Sequence, residues 1–264
     1  MYVFYPAYPT EAHAIAAQWI TEWFQHVPEA RAVLLTCSCA RGKATPDSCL
    51  DICVLIPPET SPESQARLWQ DWAEIDRSEQ VFINLRKVGK YSQVDLSFSD
   101  GSFQPGYHGW TSGPDEFELE VGNTLVYSVP LWERNRMYQD LRAQWLPYYA
   151  EKLRIERLQM VTKYGFNNLD HIPSYAGRGL YFQCFQRFYH AFGEFLQALF
   201  ISRKIYPIAY DKWVREQVVE ILDLPDLYSE LPRLFEIQHF ESDEIPHKAA
   251  RLRNLWERYI TGES

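Results

Sequence analysis

A change of hydrophobic period near Pro130 constrains this chain more than any other feature. Before it, apolar residues fall in short strand-like runs, continuous in AVLLT (32–36) and alternating in LDICVLI (50–56) and QVDLSFS (93–99). After it, they recur at helical spacing through 132–146, 147–164, 178–205, 208–222, 226–238 and 245–260. A period of two marks half-buried strands and a period of 3.6 marks amphipathic helices. The expectation is an α+β chain: a strand-bearing domain over 1–130, with a mixed sheet and helices, then an all-α domain over 131–264. At 264 residues the length suits two modest domains.

The first part is expected to carry two helices among its strands. Residues 10–26 place Ala12, Ile15, Ala16, Trp19, Ile20, Trp23 and Phe24 on one face, and Thr10 can cap the start. Ser61-Pro62-Glu63 opens a second helix running to about Ile75. VFINL (81–85), FELEV (117–121) and TLVYSV (124–129) read as further strands, and 100–116 as a loop. No repeat and no low-complexity tract interrupts the chain.

Strand alternation singles out two acids. On 50–56, Leu50, Ile52, Val54 and Ile56 share a core face, while Cys49, Asp51, Cys53 and Leu55 share the other. On 93–99, Val94, Leu96 and Phe98 oppose Gln93, Asp95 and Ser97. If these strands pair, Asp51 and Asp95 converge, and two carboxylates so placed repel unless a cation lies between them. A hard divalent ion such as Mg²⁺, which draws triphosphate, is one partner; solvation on an open face is the alternative. The loop between the first two strands adds Ser38, Arg41, Gly42 and Lys43, a hydroxyl, backbone N–H groups and cations of the kind a phosphate cradle uses.

These residues carry a resemblance. The order strand, small residue-Ser38, Ala40-Arg41-Gly42, Ser48-Cys49-Leu50-Asp51, apolar strand, and later Val94-Asp95-Leu96 resembles the nucleotidyltransferase fold of the DNA polymerase beta superfamily. GNTLVYSVPL (122–131), WLPYYAEKLR (145–154) and FGEFLQALFISRKIYPIAYDKW (192–213) are similar to bacterial members with a helical C-terminal domain, among them kanamycin- and lincosamide-type antibiotic nucleotidyltransferases. The resemblance implies transfer of a nucleoside monophosphate from ATP or another NTP to a hydroxyl of a small acceptor. It implies Ser38, Arg41, Gly42 and Lys43 at the nucleotide, Asp51 and Asp95 as Mg²⁺ ligands, and a helical glutamate, here Glu194, as base. A homodimer would suit this group. Two positions depart from the pattern: Cys37 stands where the family has glycine, and Cys49 where it has the first metal-binding aspartate. A thiolate is a soft ligand, poorly matched to Mg²⁺. The competing expectation is therefore a catalytically degenerate relative that binds a nucleotide or partner.

On the helix at 178–205, Glu194 and His190 lie four apart and are expected to face each other, as an acid–base pair or a surface pair. Arg203, Lys204, Tyr206, Lys212 and Trp213 form a cationic-aromatic stretch suited to a phosphate, a base or helix ends. Four of the five cysteines, at 37, 39, 49 and 53, crowd one stretch without a common zinc spacing. Cys49 and Cys53 lie roughly 13 Å apart along a strand, so buried small side chains explain them better than a knuckle.

A net charge of −9 argues against a general nucleic-acid binder. Aromatics at 16% suit bulky cores and flat-ligand pockets alike. No apolar run has the ~18 residues of a membrane span, and MYVFYPAYPTEAHA lacks the basic and apolar regions of an export leader. With an odd number of cysteines, reduced thiols and a cytoplasmic location are expected.

Overall fold

The computed structural model describes residues 5–106 and 108–262. They form an α+β protein that divides into two compact units: Met1–Phe103 with Glu120–Leu146, and Gln104–Leu119 with Pro147–Ser264. The cut thus differs from a single break at 130/131. Residues 131–146 stay with the sheet because the strand Val129–Glu133 pairs with Ala32–Leu35. Residues 104–119 go with the helices because Asp115 and Glu118 are bonded to Arg157.

The first unit is a four-stranded mixed sheet. Its strands are β1 (Ala32–Leu35), β2 (Leu50–Leu55), β3 (Val94–Ser99) and β4 (Val129–Glu133), in the order β3-β2-β1-β4. β1 is antiparallel to both β2 and β4, while β2 and β3 run parallel. One face buries Val33, Leu35, Leu50, Ile52, Val54 and Ile56. Against it pack α1 (Glu11–Gln25) and α3 (Pro62–Ser78), with the one-turn α2 (Cys37–Ala40) between β1 and β2. The caps form as expected: Thr10 Oγ1 accepts from the His13 N–H, and Ser61 Oγ from the Ser64 N–H at 3.2 Å.

Of the expected strands, 81–85 and 117–121 are helical, and 124–129 is a wide helical turn up to Val126 that leads into β4 at Val129. Residues 81–85 lie in α4 (Gln80–Leu85), which buries Phe82 and Leu85 at i, i+3 spacing. Phe82 fits edge-on between Trp19 and Trp72, each 5.2 Å away between ring centres. Residues 117–121 form α5 (Phe117–Val121), whose first turn is held by Asp115 Oδ1 accepting the Phe117 N–H at 3.0 Å. The chain then widens into an i+5 turn, with the Tyr127 N–H bonded to the Gly122 carbonyl at 2.9 Å, before β4 begins.

The second unit is helical: α7 (Glu151–Ala176), α8 (Tyr181–Arg203), α9 (Pro225–Leu234) and α10 (Glu244–Trp256), while α6 (Met137–Trp145) belongs to the first. α7 and α8 are longer and shorter, respectively, than their sequence segments, and of 208–222 only 214–221 is helical, mostly as the wide turn Glu216–Ile221. The core centres on α8, from Cys184 through Phe188 and Phe195 to Ile201. Gly165 on α7 lets Trp256 of α10 approach: a Cβ there would clash with the indole. Among the described residues no helix is long and apolar enough to cross a membrane.

Candidate active site on the sheet

The parallel pairing of β2 and β3 sets Leu50 opposite Val94, and so Asp51 directly opposite Asp95. The two aspartates therefore share one face, the one turned away from the helices. Cys49, just before β2, brings a third donor. Its thiol lies 3.3 Å from Asp51 Oδ2, and one ligand atom from each of Cys49, Asp51 and Asp95 falls within 4.8 Å of the others. Asp95 is exposed, and Cys49 and Asp51 are half-buried. Gln93 Nε2 donates to Asp95 Oδ1 at 3.1 Å. Burial, then the charge of Asp51, pushes the Cys49 thiol well above its ordinary pKa. The same two causes raise Cys37 to about 11. Both thiols are neutral near pH 7.

Several bonds fix these side chains. The Thr36 N–H and Oγ1 donate to the Asp51 carbonyl at 3.0 and 3.3 Å, joining the end of β1 to β2. His13, fully buried on α1, donates from Nε2 to the Ser48 carbonyl at 2.9 Å, while its Nδ1 lies 2.7 Å from Thr10 Oγ1. A carbonyl only accepts, so Nε2 carries a proton. Asp47 points elsewhere: its Oδ1 accepts the Tyr91 N–H at 3.4 Å, and it does not join the donor cluster.

Between β1 and β2 the loop turns tightly. The Lys43 N–H donates to the Ser38 carbonyl at 2.9 Å, and Gly42 adopts φ +69°. Ser38 is half-buried, and Gly42 and Lys43 are exposed. Arg41 is folded inward, 8% exposed, with interactions of its own. Cys37, standing where the resembled family has glycine, adopts φ +54°, the left-handed region that glycine enters freely. A residue with a Cβ thus holds a backbone conformation that favours glycine. Cys37→Gly is expected to gain about 0.5–1 kcal/mol, the left-handed strain less the extra chain entropy of glycine. Cys37→Ala, which deletes the thiol but keeps Cβ, should show no such gain in denaturant melts.

On the same face, two residues further along, Cys53 sits opposite Ser97. Here a hollow of about 460 Å³ opens, lined also by Ser99, Asp100, Glu120 and Thr124. Its walls are mostly polar, hydroxyls and carboxylates with Ile56, Phe98 and Phe103 among them.

In the second unit Glu194 is fully buried. His190 does not meet it: His190 Nδ1 is 2.8 Å from the Thr111 carbonyl. Glu194 Oε2 instead accepts from Asn168 Nδ2 at 2.9 Å, and Oε1 faces His108 Nε2 at 3.7 Å. His108 stacks on Tyr164, ring centres 4.1 Å apart. Burial raises the Glu194 carboxyl to about 8, against smaller opposing effects of Asn168 and Arg187. Burial likewise lowers His108. In this conformation Glu194 has no exposed atom to offer an acceptor. The cationic-aromatic stretch is dispersed: Lys204 pairs with Glu151 at 2.9 Å, Tyr206 is buried against Tyr148, and Trp213 stands 40% exposed.

Sequence reasoning missed the strongest polar cluster of this unit. Arg157, 2% exposed, binds both oxygens of Asp115 at 2.7 and 2.8 Å and both of Glu118 at 2.9 and 2.6 Å. Tyr149 Oη and Gln197 Nε2 each add a bond to Glu118 at 2.8 Å. One signal was present: Asp115 and Glu118 have the D-x-x-E spacing of a helix start.

No family model matches the chain, and no curated protein does. Among solved structures the chain is similar to a nucleotidyltransferase-like protein from Exiguobacterium sibiricum 255-15. The two share 15% identity over 93% of this chain and 74% of that one, with a TM-score of 0.45.

Proposed function

We propose that the chain is a nucleotidyltransferase whose first unit binds an NTP and passes its nucleoside monophosphate to a hydroxyl of a small acceptor. The observation that carries this reading is the register that sets Asp51 against Asp95 beside the Ser38 loop. In the transfer a bond forms between the acceptor oxygen and the α-phosphorus. The α–β phosphoanhydride bond breaks, pyrophosphate leaves, and the hydroxyl proton is lost. Ser38, the N–H groups around Gly42 and the exposed Lys43 would meet phosphate oxygens. Buried Arg41 would act by holding the loop. The hollow beside Cys53 and Ser97, poor in cations, suits a polar, hydroxylated acceptor better than a triphosphate.

The residues present do not fit a pair of Mg²⁺ ions. Such ions need oxygen ligands, the position of the first carboxylate holds the neutral thiol of Cys49, and Asp47 is held by Tyr91.

Pyrophosphate release from ATP and GTP, measured with a panel of hydroxylated acceptors and divalent ions, tests the reading. Asp51→Asn and Asp95→Asn are each expected to lower the rate by about 100-fold or more while leaving the fold intact. Absence of NTP binding and of pyrophosphate release with every ion would overturn it. The left-handed Cys37 and the thiol at 49 favour a second reading, a nucleotide-binding module without turnover. That reading expects Cys49→Asp to create a transfer activity that the native chain lacks.

A further inference from the structure

The mismatch with Mg²⁺ has a positive side. The donors on the sheet face come from three elements and are of two kinds. β2 and β3 supply the carboxylates of Asp51 and Asp95, and the residue before β2 supplies the Cys49 sulfur. The Cys49 thiol donates to Asp51 Oδ2 at 3.3 Å, and the ligand atoms of Cys49, Asp51 and Asp95 lie within 4.8 Å of one another. From α2, the Cys37 thiol is hydrogen-bonded to Asp51 as well. Two carboxylates and one sulfur thus lie around one point, with a second sulfur beside Asp51.

We propose that this point binds a thiophilic divalent ion of the Zn²⁺ and Co²⁺ class in preference to Mg²⁺, through Cys49, Asp51 and Asp95, with Cys37 as the next donor in reach. Mg²⁺ demands six near-octahedral oxygens and gives up water reluctantly. Zn²⁺ and Co²⁺ accept four ligands and mix thiolate with carboxylate. A tetrahedral site with ordinary Zn–S and Zn–O bonds separates a sulfur and an oxygen by about 3.6 Å. The Cys49 Sγ to Asp51 Oδ2 distance, 3.3 Å, is already close to that. The half-burial of Cys49 leaves the sulfur reachable from the open face, where Asp95 is exposed. On binding, the Cys49 S–H bond breaks, the sulfur keeps the electron pair for the metal, and the proton passes to solvent. No oxidant or reductant is involved.

The inference concerns which ion the site holds and does not depend on nucleotidyl transfer. It is tested on the purified, reduced, full-length chain by Co²⁺ titration. The expected result is a near-ultraviolet thiolate-to-cobalt absorption band at one equivalent, displaced by Zn²⁺ and not by a large excess of Mg²⁺. Cys49→Ala should abolish the band, and Asp95→Asn should weaken Co²⁺ binding by roughly 10–100-fold or more. Cys184→Ala, in the second unit, should leave the band unchanged. Circular dichroism confirms that each variant is folded. Cys49→Asp is expected to reverse the preference, so that Mg²⁺ competes with Co²⁺. The proposal is overturned if the folded native chain gives no band, if the band persists in Cys49→Ala, or if Mg²⁺ displaces Co²⁺ at similar concentration. Calorimetry with ATP separates this from the functional reading. A cobalt band without NTP binding under any ion sinks the transferase and leaves the metal site. Mg²⁺-dependent ATP binding without a cobalt band does the reverse.

Discussion

Arg157→Ala is expected to cost the second unit about 3–5 kcal/mol of stability, read as a lower urea midpoint of that unit. The guanidinium is nearly sealed and neutralises two buried carboxylates through four hydrogen bonds. Burial opposes its charge, but the bonds to Glu118 and Asp115 outweigh that and hold its pKa above the ordinary value. Deleting it strands two acids without a cation, and their desolvation is then uncompensated. Arg157→Lys should recover only part of the loss, because an ammonium cannot serve two carboxylates with a planar fork. Glu118→Gln in the Arg157→Ala background should restore stability relative to Arg157→Ala alone, since one stranded charge is gone. An additive double-mutant cycle would contradict the coupling.

Glu194→Gln is expected to change the pH dependence of stability rather than only its level. The native carboxyl has an ordinary pKa of 4.5 when unfolded and about 8 when folded. Between these values the folded chain holds a proton that the unfolded chain has released, so stability falls as pH rises through that window. Above it the penalty is complete, on the order of 5 kcal/mol. The groups facing the carboxyl are His108, whose pKa burial lowers, and Arg187, which is itself bonded to Asn168. The glutamine variant lacks the proton linkage. It should be more stable than the native chain at pH 8 and approach it near pH 5. Parallel stability curves from pH 5 to 9 would refute this. The same variant also tests the expected base role: loss of transfer in a folded, more stable protein would restore Glu194 to the chemistry.

What could be read early was local or followed from alternation. The caps at Thr10 and Ser61 involve residues three apart, so the sequence contains both partners. Asp51 and Asp95 could be placed on their non-core faces from their neighbours alone. The short apolar runs could not be resolved in that way. VFINL and FELEV are compatible with either period over five residues, and a window that short does not separate strand from helix. Phe82 is committed to a helix by Trp72 of the preceding helix and by Trp19, which lies far from it in sequence. Glu194 shows the same limit: helical spacing offered His190, and packing chose His108.

The sequence by itself determined an alternating half followed by a helical one, the loop with Ser38 and Gly42, and two aspartates each opposed to its strand's core side. Those are properties of spacing, fixed by backbone geometry within a few residues. Only the tertiary structure decided that β2 and β3 are parallel neighbours in the register that puts Asp51 against Asp95. It alone brought Asp95 within reach of the Cys49 thiol, and gathered Asp115 and Glu118 onto Arg157. Each is a contact between distant segments, chosen by how whole faces bury together, which a local period does not encode.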